Sequence, residues 1–153
     1  MSHKDRLLFG LLAGTGIRIG EALALTNDCW DRKAGILTIR ASKTAAGVRD
    51  VDLPWALNAW LQDGLGAGNP NSRLFPFSLT PLRQRAAGVT GFAHGFRRFR
   101  LTHLRRVGAP EDLLRFWLGH SDKSISDRYS RIRCDQEFRR EQVERAGLGF
   151  QIV

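Results

Sequence analysis

Residues 35–53 read GILTIRASKTAAGVRDVDL, and this stretch separates the candidate folds. Gly35 to Arg40 contains Ile36, Leu37, Thr38 and Ile39, a strand-forming run, and Val48 to Leu53 is a second one. Ala45-Ala46-Gly47 suits the turn between them, so an antiparallel hairpin is predicted. Pro54 ends the second strand and can open a helix running through Trp60.

Either side of the hairpin, the spacing is helical. Leu7, Leu8, Leu11 and Leu12 predict a first helix ending near Gly14, where Gly14-Thr15-Gly16 breaks it. Ile17 to Leu25 reads as a second helix, with Thr26-Asn27-Asp28 as its exit. Gly64 to Asn71 is a glycine-rich loop, and Pro81 to Ala87 a short helix. Phe96, Phe99, His103 and Val107 predict one apolar face of a longer helix that Gly108 stops. Pro110 opens another, ending near Leu118. Ser124 suits the N-cap of a helix carrying Tyr129. A polar helix from about Gln136 to Ala146 closes the chain. The predicted fold class is mainly α with a small antiparallel β-hairpin (α+β), as one domain over 1–153. Strands and helices alternate too sparsely for a doubly wound sheet.

Composition narrows the function. With 153 residues, 42% hydrophobic and 25% charged, the chain can bury one apolar core. No apolar run is long enough to span a bilayer, and no basic amphipathic helix with an aromatic face is present, so no membrane partner is expected. The mixed charges of Met1 to Arg6 do not resemble a secretory signal, which favours a cytoplasmic protein. Cys29 and Cys134 form no CxxC pair, against a zinc knuckle or disulfide framework. Lys and Arg number 24 against 15 Asp and Glu, a net +9. Much of the arginine lies between Arg73 and Arg145. Such a balance suits a polyanion, nucleic acid first, although an inert basic surface would read the same way.

Individual residues each admit two readings. Arg18 sits among apolar neighbours and either pairs with Glu21 one turn on or faces a ligand. Lys43, at the hairpin tip, is either simply solvated or able to reach into a groove. His94 and Arg97, three apart at a helix start, share a face where anions are favoured. The alternative is that His94 caps the helix and Arg97 joins Arg98, Arg100, Arg105 and Arg106 in a basic cluster. His120 follows Leu118-Gly119, and Tyr129, the only tyrosine, comes nine residues later.

Together these residues suit attack on a phosphodiester. Two arginines can neutralise the non-bridging oxygens, a phenol near them ionises more readily, and a lysine can protonate the leaving oxygen. No carboxylate cluster suited to magnesium stands out, so a metal-free mechanism with no cofactor is expected.

Six positions in order then resemble the tyrosine recombinases and phage integrases. Thr15-Gly16-Ile17-Arg18-Ile19-Gly20-Glu21 looks like their first arginine motif, and Ser42-Lys43-Thr44 is similar to their lysine segment. His94-Gly95-Phe96-Arg97-Arg98 resembles their His-x-x-Arg box, although Gly95 stands where an acidic residue is common. Leu118-Gly119-His120-Ser121 resembles their second histidine motif, and the spacing to Tyr129 agrees. The resemblance covers nearly the whole chain. It implies the catalytic-domain fold of that family and action on double-stranded DNA. It further implies that Arg18 and Arg97 clamp the scissile phosphate, with Glu21 supporting Arg18. Lys43 would protonate the 5′-oxygen, His94 would assist proton transfer, His120 would bond the phosphate, and Tyr129 would form a 3′-phosphotyrosyl intermediate. Arg98, Arg100, Arg105, Lys123 and Arg128 are expected as DNA contacts. A homo-tetramer on DNA is implied, with the helix at about 136–147 docking either on a neighbour or in cis. The family's N-terminal DNA-clamping domain is expected to be absent from this stretch, which predicts weak affinity for DNA on its own. A topoisomerase of related chemistry and a DNA-binding module without catalysis are the alternative readings.

Overall fold

A computed structural model describes residues 1–40, 47–85, 91–120 and 131–152. Lys43, Lys123, Arg128, Tyr129 and the expected N-cap Ser124 lie outside the described residues.

Helix α1 (His3–Thr15) begins with a capping box: Ser2 Oγ accepts from the Asp5 amide, and the Ser2 amide donates to the Asp5 carboxylate. Gly16, at φ 72°, ends it. Leu7, Leu8, Leu11 and Leu12 are buried, as their spacing predicts. Helix α2 (Ile19–Ala24) is shorter than the predicted Ile17–Leu25, because Arg18 is its extended N-cap and Leu25 its extended C-cap.

Strands β1 (Trp30–Asp31), β2 (Ile36–Ile39) and β3 (Arg49–Asp52) form one antiparallel sheet in that order. Leu37 pairs with Val51 and Ile39 with Arg49. The predicted antiparallel pairing is therefore present, with an added edge strand, while Ala45 and Ala46 of the predicted turn lie outside the described residues. At two residues, β1 is too short to show alternation. Helix α3 (Trp55–Leu65) runs past Trp60 and takes in Gly64, predicted as loop. A Cβ at Gly64 would lie 2.6 Å from Leu7, so its bare backbone lets α3 press against α1. Helix α4 (Leu79–Arg85) starts two residues before Pro81. Proline is tolerated there because the amides of a helix's first turn have no intrahelical partner.

Helix α5 (Phe92–Arg106) precedes Gly108 as expected, but its buried face differs. Arg100 and Leu104 are 2% and 1% exposed, whereas Phe99, predicted to face the core, is 40% exposed. Helix α6 (Glu111–Leu118) ends at Gly119, φ 66°. Residues 131–134 are helical, and α7 (Gln136–Ala146) matches its predicted span.

The apolar core has two parts. One gathers α1, α2, the sheet and α3; the other gathers Leu104, α6, Ile132, Val143 and Ala146. Two buried arginines join them: Arg49 of β3 donates to the Trp117 carbonyl and Arg139 of α7 to Asp52, while Arg100 of α5 donates to the Gly147 carbonyl within the second part.

Candidate active site

The candidate site lies where those two parts meet. Its first component is the turn after α1. Arg18 is held at both ends by Glu21, whose carboxylate accepts from the Arg18 amide at 2.8 Å and from its guanidinium at 3.0 Å. Pairing and ligand-facing are thus compatible for Arg18, because its side chain remains about half exposed at 49%.

Glu21 is held in turn by Arg49. The Arg49 guanidinium donates to both carboxylate oxygens at 3.1 Å, in the forked geometry that suits this pair. Its Nε reaches the Trp117 carbonyl at 2.7 Å, and Nη1 also donates to the Gly47 carbonyl. Burial raises the Glu21 pKa, but the hydrogen bonds and charges of Arg49 and Arg18 outweigh it, and the net shift is downward. Glu21 is therefore an anion shared by two guanidinium groups.

Arg97 is the second component. From α5 it donates Nη1 to the Gly16 carbonyl at 2.9 Å and Nη2 to the Leu118 carbonyl. It thereby ties the turn bearing Arg18 to the end of α6 bearing His120. Burial, with the positive charges of Arg18 and Arg49, pushes its pKa down to about 10, so it stays charged at neutral pH. Two of its five N–H donors are committed to these carbonyls, which leaves donors for a ligand.

His120 is exposed just beyond the Gly119 cap. Its pKa is lowered by partial burial first, then by Arg97, Arg18, Arg115 and Arg49. Arg18, Arg97, His120 and the Glu21–Arg49 pair thus share one electrostatic neighbourhood. His94 is exposed one turn before Arg97 on α5. It does not cap the helix: the N-cap is Gly91, without a side-chain cap bond.

The expected DNA contacts divide. Arg98 is exposed. Arg105 is exposed and paired with Glu111 at 2.8 Å. Arg100 departs from that expectation: it is 2% exposed and donates to the Gly147 carbonyl, so it braces the fold and does not face solvent. Within the single chain, the closing helix α7 packs on the sheet side of the fold. Its Arg139 pairs with Asp52, and its Arg140 donates to the Ala34, Gly35 and Leu53 carbonyls. Among the described residues, no group of three or more His, Cys, Asp or Glu could hold a metal ion, and no helix is long and apolar enough to cross a membrane.

Arg49 is the residue that the charge pattern concealed. Its signal was the strand period, which groups Arg49 with Val51 and Leu53 on the inward face.

Residues 1–135 match the phage integrase family along most of the chain. The chain belongs to the phage integrase family. Among curated relatives it is similar to the tyrosine recombinase XerC of Mycobacterium leprae (strain TN), at 28% identity over 151 residues, covering 86% of this chain and 51% of that protein. It is also similar to the tyrosine recombinase XerA of Pyrococcus furiosus, at 27% over 161 residues, covering 95% and 55%. XerC of Mycobacterium tuberculosis (strain CDC 1551 / Oshkosh) is 30% identical over 155 residues, covering 86% and 51%. The chain thus spans about half the length of the curated relatives it matches. The fold matches that of a crystal structure of XerA recombinase with a TM-score of 0.59 at 19% identity, covering 90% of this chain and 60% of that one.

Proposed function

We propose that this chain is the catalytic part of a site-specific DNA recombinase, which breaks and rejoins double-stranded DNA through a tyrosine-linked intermediate. The observation that carries this reading is the pair Arg18 and Arg97, held beside His120 by separate networks. Two fixed guanidinium groups can neutralise a phosphodiester and the further charge that develops as it is attacked. Family membership and the names of the relatives support the same chemistry.

In this mechanism the Tyr129 oxygen attacks the scissile phosphorus, and the bond from phosphorus to the 5′-oxygen breaks. The phenolic proton leaves by way of His94, and Lys43 gives a proton to the departing 5′-oxygen. His120, neutral at pH 7, donates a hydrogen bond to a phosphate oxygen. The 3′-phosphotyrosyl bond keeps the energy of the broken linkage, so a 5′-hydroxyl from another strand reverses the step. No metal or cofactor has a role, because the arginines supply the positive charge. We assign Arg98, Arg105, Lys123 and Arg128 to DNA contacts, assembly of four copies to the DNA-bound state, and the cytoplasm as the site of action.

A nicked substrate that loses its 5′-hydroxyl fragment tests this. Wild-type chain is expected to form a covalent DNA adduct, also in excess EDTA, and Tyr129→Phe to form none. An adduct with Tyr129→Phe removes Tyr129 as nucleophile, and a requirement for magnesium in cleavage removes the metal-free step. Plasmid relaxation without strand exchange would indicate a topoisomerase. A footprint with no adduct under any condition would indicate a binding module.

A further inference from the structure

We infer that Arg49 is a positioning residue for the phosphate clamp, acting through Glu21 on Arg18 and through the end of α6 on His120. The inference rests on the proposed phosphodiester chemistry and adds a residue to it.

Arg49 is 3% exposed, so it touches no substrate itself. Its contacts run to three elements. Both oxygens of Glu21 accept from its Nη1 and Nη2 at 3.1 Å, and the same two oxygens accept from the side chain and the amide of Arg18. Glu21 therefore has no freedom to rotate without losing one arginine or the other. On the far side, Arg49 Nε donates to the Trp117 carbonyl at 2.7 Å, three residues before His120. Nη1 also donates to the Gly47 carbonyl at 2.6 Å, where the chain re-enters the sheet after the segment bearing Lys43.

Gly119 is shaped around this guanidinium. A Cβ there would stand 2.7 Å from Arg49 Nη1 and 2.8 Å from its Cζ, so the backbone passes directly over the group. One planar fork thus sets the distance between the turn of Arg18 and the end of α6. Lysine could keep the charge, but it could not bond two carboxylate oxygens and two carbonyls in one plane.

A positioning role differs from a purely structural one in what it does to phosphate charge. Replacing a non-bridging oxygen of the scissile phosphate by methyl makes that centre neutral, which relaxes the need for a well-placed Arg18. Covalent adduct formation by the full chain would be followed on matched nicked phosphodiester and methylphosphonate DNA. Arg18→Ala serves as the benchmark, and thermal unfolding checks each variant. Arg49→Lys is expected to lose about 100-fold on the phosphodiester and to come within about threefold of wild type on the methylphosphonate. Gly119→Ala leaves every charge in place but crowds Arg49 and strains the φ 66° backbone that leads to His120, so it perturbs the same link and is expected to show the same direction of rescue. It carries the test if Arg49→Lys does not fold.

Equal losses on the two substrates, or no loss in either variant while wild type is active, would overturn the positioning role and leave the recombinase reading intact. A wild-type chain that forms no adduct on either substrate would overturn the recombinase reading, and this inference with it.

Discussion

His120 sits where partial burial and fixed positive charge both disfavour its protonated form. Burial and four neighbouring arginines lower its pKa, so the folded chain binds this proton less readily than the unfolded chain does. The sign follows directly. The unfolded imidazole titrates near ~6.5, so below that pH the unfolded state takes up more protons and folding loses stability. The loss grows until the pH falls past the folded pKa and then levels off. His120→Gln is therefore expected to flatten the acid-side fall in Tm below about pH 6.5, measured by circular dichroism. Glu21 has the opposite role. It is an anion between two guanidinium groups, and its neutral isostere leaves Arg49 buried without a counter-charge. Glu21→Gln is expected to cost about 3 kcal/mol in urea unfolding, because breaking a buried pair costs more than the pair contributes. An unchanged midpoint would mean that the Arg49 bonds to the Trp117 and Gly47 carbonyls suffice on their own.

Helix α5 presents two kinds of arginine on one basic run, and this is where sequence and structure part. The order Arg18, His94, Arg97, His120 was legible because short motifs carry it, and the strand pairing was legible because β2 has strand composition and Val48, Val51 and Leu53 mark the second run. The rotation of α5 was not. Phe96, Phe99, His103 and Val107 have good helical spacing, yet the helix buries Arg100 and Leu104 instead. Arginine is a surface residue by default, and nothing local shows that the Gly147 carbonyl awaits it. Arg49 escaped for the same reason. A charged residue in a strand suggests solvent unless the alternation is given more weight than the charge. The division of α5 can be measured. Arg98→Ala is expected to leave Tm within about 1 °C and to lower the salt dependence of DNA binding by about one phosphate contact, read by fluorescence anisotropy. Arg100→Met is expected to lower Tm with no change in that slope, since its guanidinium lies inside the fold. If the slope fell for Arg100→Met instead, Arg100 would be reaching DNA after all.

The chain joins two apolar clusters through a layer of arginines, and α7 is the largest piece held that way. Arg139 is 0% exposed, pairs with Asp52 at 2.8 Å and donates to the carbonyls of Ile132 and Arg133. Asp52 also accepts from the Trp117 indole, so α6, α7 and β3 converge on one carboxylate. Asp52→Asn would leave the buried Arg139 guanidinium with only Asp50, at 3.9 Å, as counter-charge, a loss of about 3 kcal/mol. For a domain of this size that corresponds to a fall in Tm of about 10 °C. The same pair bears on where α7 resides. Because Arg139 and Asp52 meet within one chain, unfolding without DNA should be a single-chain event. Tm is then expected to be the same at about 2 and 100 µM, since only a state held by subunit contacts gains stability by mass action. An α7 exchanged between copies would carry its Arg139 to the Asp52 of a neighbour. Tm would then rise with concentration, and a dimer or larger species would sediment in the absence of DNA. Concentration-independent melting together with a large Asp52→Asn effect would fix α7 in cis for the free chain. Any exchange would then have to be driven by DNA-bound assembly, which must supply enough binding energy to release this buried pair.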